Sequence, residues 1–356
     1  MVDRVLDSHK GGHFLEEFRI HDFPYFSGGI SELPHIIKRW LEFALSKQVH
    51  AIDMHLHEEY SSLVFPISSF LTESGVTLRP GFQSLKELSL QAIGFDDQDL
   101  ESLLKNFILL ERLSIKNSYA LREVLVDGDW APNLKYLNIS SCANIRSIEI
   151  REVISLVSLR FHKLQLSRDL VLDNVPMLIE FSSCDNSCYN RGYPIDQIIS
   201  KGIICERLVK KHDTDVSLPF LKHMELEAHM RSPSSRDQLV RMIDACPSLQ
   251  KLEIKFHLWV SGWFENKMLG EHNIELNNTP CNNPNNNLKK VKLTGFIGCS
   301  FDLVVVSHVI TNAVELEELS IEIRAEAPKI TRHRMRALVW QHLQPMLRNS
   351  FNFVII

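Results

Sequence analysis

The chain is 356 residues long, 44% hydrophobic and 23% charged, with a formal net charge of -5. That is enough apolar material for a continuous core, and it provides no basic stripe for nucleic acid or an acidic membrane surface, so neither is an expected partner. Charges run through the opening MVDRVLDSHKGGHF, and no apolar run approaches the roughly 18 residues of a membrane span, so the expectation is an intracellular protein of the cytoplasm or nucleus.

A pattern Leu-x-x-Leu-x-Leu, with Ile, Val, Phe or Met allowed at the apolar positions, recurs from end to end. It reads LEEFRI at 15–20, VHAIDM at 49–54, LKELSL at 85–90, LERLSI at 110–115 and NLKYLNI at 133–139. It returns as LVSLRF at 156–161, LKHMEL at 221–226, LQKLEI at 249–254, LKKVKL at 288–293 and LEELSI at 316–321. Each copy predicts a short strand with alternate side chains buried, and no copy can bury its apolar face without a neighbour stacked on it. From Leu85 to Leu110 to Leu134 the steps are 25 and 24 residues, within the range of about 20 to 29 for a leucine-rich repeat. Longer steps elsewhere leave room for loops or helices. LREVLV at 121–126 and IRSIEI at 145–150 also alternate and read as strands on the convex side of the central coils. Toward the ends, 36–45 and 237–246 carry apolar residues at helical spacing, with Pro247 after the second. The fold class is an α/β repeat: one leucine-rich repeat solenoid over 1–356, with a curved parallel β-sheet and a convex side of helices and short strands.

Two segments interrupt the repeat, 184–217 and 265–287, and both read as loop insertions. The second contains Asn277, Asn278, Asn282, Asn283, Asn285, Asn286 and Asn287, a density that favours turns and solvated backbone. Asn277-Asn278-Thr279 and Asn138-Ile139-Ser140 spell glycosylation acceptors that carry no weight without a secretory signal. Of the seven cysteines, Cys184 and Cys188 lie close together but lack a second ligand pair for zinc. Cys142, eight residues after Leu134, falls where this repeat class places Asn or Cys to satisfy the turn after the strand, and reads as a buried thiol. The tail from 328 to 356 reads as a cap, with Ala337, Leu338, Val339, Leu343 and Leu347 as the buried side of a helix closing the open core.

Several stretches go beyond the bare repeat. PHIIKRWLEFALSKQVHAIDM at 34–54, LVRMIDACPSLQKLEIKF at 239–256, NNLKKVKLTGFIGCSFDLVVVSHVITNAVELEELSIEI at 286–323 and RHRMRALVWQHLQPMLRNSFNFVII at 332–356 resemble the repeat region of plant F-box/LRR proteins, including those related to the FBD class. The resemblance implies a basic helix and a last apolar strand at the C-terminus. It also implies substrate recognition for a cullin-based ubiquitin ligase, where an F-box ahead of the repeats docks the ligase adaptor. No F-box is visible here. LPHII at 33–37 imitates its opening, but the helix runs directly into VHAIDM and is better read as part of the first full repeat. An adaptor is therefore expected as a partner only if such a box lies upstream.

Between the inward apolar positions of each strand lie the residues of the concave face, Glu17, Arg19 and His21 in the first copy and Asp53 and His55 in the second. The candidate protein-binding residues there are Arg19, His55, Arg112, Lys116, Tyr136, Asn138, Arg160, His162, Lys255 and Lys292. Tyr136, Arg112 and Arg160 are the anchor candidates, because aromatic and Arg side chains carry most binding energy at protein interfaces. His55 and His57 share one strand face with Asp53 in sequence, but no third ligand from elsewhere in the chain is identified to join the two histidines on a metal, and a polar strand face is the reading. There is no glycine-rich phosphate loop, nucleophile elbow or Cys-x-x-Cys, so neither catalysis nor a cofactor is expected. The function read from the chain is a protein-interaction scaffold resembling the substrate-recognition region of an F-box receptor. A repeat-only binding protein with no ligase link and a small-molecule sensor stay open.

Overall fold

The computed structural model describes residues 6, 15–21, 32–62, 83–94, 96–162, 170–184, 218–229, 239–240, 242–257, 285–298, 300–324, 329–347 and 351–356. Most of both expected insertions, together with Cys188 and Asn277, lies outside them. The described residues fall into two compact units, one reaching to Met177 and the other beginning at Leu178.

The first unit contains β1 (Glu17–Ile20), α1 (Leu33–Ser46), β2 (Ala51–His55), a 3-10 turn at Glu58–Ser62, β3 (Glu87–Gln91), α2 (Asp97–Asn106) and β4 (Arg112–Lys116). β5 (Glu123–Asp127), β6 (Tyr136–Ser140), β7 (Ser147–Arg151), β8 (Ser158–His162) and β9 (Leu170–Asp173) follow. Its strands form a parallel sheet in the order β1-β2-β3-β4-β6-β8 and a second parallel sheet β5-β7-β9. The second sheet consists of the convex strands expected at 121–126 and 145–150, extended by a third. Leu88, Leu90, Leu113, Ile115, Leu137 and Ile139 point inward from the first sheet and Val124, Val126, Ile148 and Ile150 from the second, all nearly inaccessible. Each such aliphatic side chain contributes roughly 1.5–3 kcal/mol on burial.

The spacing of the coils is held by a repeated backbone device. Ala92, Asn117 and Ser141, each directly after a strand, have φ near +55°. In that left-handed turn their N–H groups donate to the carbonyls of Lys116, Ser140 and His162 at 2.9, 3.0 and 2.7 Å. Glu152 repeats the turn after β7, donating to Asp173 O at 2.9 Å. At the matching position after β5 the residue is Gly128, because a Cβ there would lie 2.0 Å from Glu152 O. Cys142 is buried as expected. Its thiol donates to Ser140 O at 3.3 Å and receives the Ser118 N–H at 3.4 Å, and burial pushes its pKa up to about 11.

Helix α2 was not anticipated from the sequence. Asp96 caps it by accepting the N–H groups of Gln98 and Asp99 at 3.0 and 2.9 Å, while Asp99 accepts the Asp96 N–H at 3.2 Å. Asp97, in its first turn, accepts the N–H groups of Arg122 and Glu123 at 2.7 and 2.9 Å. One turn of helix thereby satisfies the start of the edge strand β5, so the change from helix-backed to strand-backed coils leaves those donors paired.

The second unit contains β10 (Glu180–Cys184), β11 (His223–His229), β12 (Lys251–His257), β13 (Lys290–Phe296), α3 (Ser300–Asn312), β14 (Glu318–Ile323), α4 (Lys329–Leu343), a 3-10 turn at Gln344–Met346 and β15 (Asn352–Ile355). Its strands are parallel and in chain order. Residues 239–240 and 242–244 are helical, inside the expected 237–246. β13 has a bulge between Thr294 and Phe296, made by Gly295 at φ +73°, whose Cβ would lie 2.3 Å from Phe256 O. Residues 285–288, at the end of the asparagine-rich segment, form a turn. Asn285 Oδ1 accepts the N–H groups of Asn287 and Leu288, and its amide donates to Cys246 O at 3.2 Å. In α4 the buried stripe is Met335, Val339 and Leu343 at four-residue spacing, whereas Ala337 is exposed and Leu338 and Leu347 are half-buried. The expected stripe was too broad for one helix face.

Parallel sheets of short Leu-x-Leu strands with helices between them are the architecture that the repeat predicts.

Candidate functional site

Parallel register sets the outward side chains of the first unit in rows. Glu17, Ala51, Glu87, Arg112, Tyr136 and Ser158 are neighbours along one row, and Arg19, Asp53, Ser89, Ser114, Asn138 and Arg160 along the next. The third row runs His55, Gln91, Lys116, Ser140, His162.

In the first row the Arg112 guanidinium lies 3.7 Å from the centroid of the Tyr136 ring, and its Nε is 3.4 Å from Glu87 Oε1. A cation over an aromatic face contributes from about 0.5 kcal/mol when exposed to about 2 kcal/mol when desolvated, so a partner that covered the pair would strengthen it. Asn138 donates to Ser114 Oγ at 3.3 Å, while its buried carbonyl oxygen has no hydrogen-bond partner. Arg160 stands exposed beside Asn138, with His162 half-buried at the end of the same strand. Arg19, at the first strand, pairs with Glu17 at 2.7 Å. Of the ten sequence candidates, Arg112, Tyr136, Asn138 and Arg160 occupy neighbouring positions on three adjacent strands. Lys116 and His162 extend that patch.

Lys255 and Lys292 belong to the second unit, on β12 and β13. There the outward rows are ionic: Lys251 pairs with Glu253 at 2.6 Å and Lys290 with Glu318 at 3.4 Å. Lys292 stands in register with Glu253, and Lys255 with Glu227 and Thr294.

His55 takes a different setting from the one its sequence neighbours predict. Strand β2 ends at His55, so His57 leaves the face and packs edge-on to Tyr60 with ring centroids 6.3 Å apart. The residue that joins Asp53 and His55 is His21, one position beyond β1. Its ring stacks on that of His55 with centroids 4.2 Å apart and planes 7° apart. His21 Nε2 lies 2.6 Å from Asp53 Oδ2, and His55 Nε2 lies 2.9 Å from Oδ1. Burial raises the Asp53 pKa, but hydrogen bonds from His21 and Ser89 and the charges of both histidines outweigh it, so the carboxylate is held below its usual range. Burial lowers the His55 pKa, Asp53 opposes this, and His21 and Lys116 reinforce it, leaving the imidazole below its ordinary value. His21 and His55 were legible as members of one face, but their contact needed the register of β1 on β2.

The family described as At1g61320/AtMIF1, LRR domain, matches residues 6–352. The chain belongs to this family. It is a plant F-box/LRR-type family, as the four long stretches implied, and the part matched is the repeat domain. A search of curated proteins finds no match. Membership in the At1g61320/AtMIF1 family makes this a repeat region of the protein-interaction kind. Among the described residues no helix is long and apolar enough to cross a membrane.

Proposed function

We propose that this domain binds a protein on the open face of its first unit, seated on Arg112 and Tyr136, and acts as the substrate-recognition region of a ubiquitin-ligase receptor. The observation that carries the reading is the Arg112–Tyr136 stack at 3.7 Å, flanked by Asn138 and Arg160 on the neighbouring strands. Interfaces place their energy in a few Arg and aromatic side chains that a partner desolvates, with polar residues around them. Arg19, His55, Lys116 and His162 form the polar surround in this reading, while Lys255 and Lys292 make a separate charged contribution from the second unit. The same proposal takes α4 and β15, within 328–356, as the cap of the repeat.

The test is a pull-down from plant extract with the chain, carried together with any upstream coding sequence, and with its Tyr136→Ala and Arg112→Ala variants. The expected result is recovery of ligase adaptor and cullin subunits, plus a further protein that both variants lose. Recovery of the further protein by both variants at full level would refute the docking site. Its recovery without adaptor or cullin would refute the ligase role and leave a binding protein of another kind.

A further inference from the structure

The geometry points to a binding site for one late first-row divalent metal ion, of the zinc type, formed by His21, Asp53 and His55. The site shares His55 with the polar surround of the Arg112–Tyr136 patch, but metal binding there does not depend on the docking proposal. Two imidazole nitrogens and one carboxylate are brought to a single point by the parallel register of β1 on β2, which sets Arg19 opposite Asp53 and Ile20 opposite Met54. His21 then falls beside His55, and Asp53 shares their face two residues before His55. The three ligand atoms all lie within 4.8 Å of one another.

Three features distinguish this group from a chance meeting of polar side chains. Both histidines turn the same nitrogen, Nε2, toward one carboxylate, each to a different oxygen, at 2.6 and 2.9 Å. Asp53 Oδ1 is closed to solvent and receives no well-aligned hydrogen bond, although His55 Nε2 is 2.9 Å away. A cation held there would take the place of the proton between Nε2 and Oδ1, which requires the imidazole neutral and its Nε2 unprotonated. Finally, Asp53 has a supporting partner of its own in Ser89, opposite it on β3, which fixes the carboxylate as second-shell groups do in metal sites.

Zinc-to-ligand bonds of about 2.0–2.2 Å place tetrahedral ligand atoms roughly 3.3 Å apart, so binding needs adjustments that open the nitrogen–oxygen contacts of 2.6 and 2.9 Å. Chief among them is a rotation of the stacked imidazoles that turns both nitrogen lone pairs toward one ion. Two histidines and one carboxylate favour zinc, cobalt, nickel or copper over magnesium or calcium, which prefer all-oxygen shells. The ring of His21 is partly open to solvent, with 44% of its side chain exposed, so water can complete the shell.

The experiment uses the full purified chain, stripped of metal, titrated with Zn2+ by calorimetry and with Co2+ by visible absorption. His21→Gln, His55→Gln and the control His57→Gln are titrated in parallel, and circular dichroism checks that each is folded. Losing even a second-shell group lowers metal affinity about 10–100-fold, and losing a ligand should cost no less. The expected result is saturable Zn2+ binding that falls at least about tenfold in the His21 and His55 variants and is unchanged in the His57 variant. Excess Mg2+ or Ca2+ should not compete. No saturable binding, equal affinity in all four proteins, or displacement by Mg2+ at comparable concentration would each overturn the assignment.

Discussion

The two units build their sheets by the same alternation but support and decorate them differently. From β4 through β6 to β8 the first unit advances in steps of 24 and 22 residues and closes each coil with a second strand. From β11 to β14 the second unit advances in steps of 28, 39 and 28 residues, with a helix, α3, in the last of them. A strand-backed coil is thin, so backbone meets backbone behind it. A helix-backed coil has side-chain depth there. The open faces diverge as well: the first unit stacks Arg112 on Tyr136 and His21 on His55, whereas the second arrays Lys and Glu in exposed pairs. Tight backing should make the strand-backed coils of the first unit intolerant of added atoms behind the sheet, and stacked rings should make its open face the better seat for a partner.

The largest expected effect breaks the comparison at its backbone. Gly128→Ala forces a Cβ against Glu152 O, where both neighbours are held by strand pairing, and should destabilise the protein by about 3 kcal/mol, in the range of overpacked sites. Gly298→Ala in the second unit meets only contacts of 3.8 Å or more and bears mainly the strain of φ +77°, about 1–2 kcal/mol. Urea unfolding of both variants measures the difference. Equal losses would show that strand backing imposes no special tightness.

Next come the faces. Tyr136→Ala should weaken partner binding by roughly 2 kcal/mol, or about thirtyfold, as an interface anchor does, while Lys255→Ala and Lys292→Ala should each change it by less than about threefold. Titration calorimetry with the captured partner decides between them. A larger loss at the lysines would move the docking surface to the second unit.

How much of this was legible in the sequence depended on the range of the interaction. The strands, the buried thiol of Cys142 and helix α1 follow from side-chain period and position within about twenty-five residues, which is the length of one coil. Helix α2 was equally local, with Asp96 and Asp99 spaced for a capping box and Leu100, Leu103 and Leu104 spaced for a buried face. The Arg112–Tyr136 stack needed only the 24-residue step, because the two residues hold the same place in successive copies. His21 and Asp53 are 32 residues apart across an irregular step, so sequence could place them on one face but not in contact.

A smaller effect concerns two buried thiols, Cys142 in the first unit and Cys246 in the second. Burial pushes Cys142 up to about 11 and Cys246 up to about 12, the latter also through the Asp244 charge. In the unfolded chain both ionise near the ordinary value of 9.0. The folded state therefore keeps protons that the unfolded state releases above that pH, and stability must fall as pH rises from about 9 through the folded values. Between pH 9 and 10 each thiol should cost about 1 kcal/mol, and Cys142→Ala with Cys246→Ala should flatten that slope in urea titrations. An unchanged slope would mean that other groups govern alkaline unfolding.

The smallest effect lies where the units most resemble each other. Lys135 bridges to Glu111 on the preceding coil at 2.9 Å, and Lys289 to Glu317 on the following one at 2.7 Å. Both join the starts of neighbouring strands, and both sit largely in water, where side-chain entropy and screening offset most of the Coulomb gain. Lys135→Ala should cost no more than roughly 0.5 kcal/mol, since exposed pairs contribute little. Lys289→Ala, at a pair with about half of each side chain open to solvent, should leave the melting temperature unchanged. Raising salt to 1 M should erase any difference between the Lys135 variant and the parent, because screening then acts over about 3 Å. Persistence of a difference at high salt would mean that the Lys135 stem contributes packing against the neighbouring coil rather than charge.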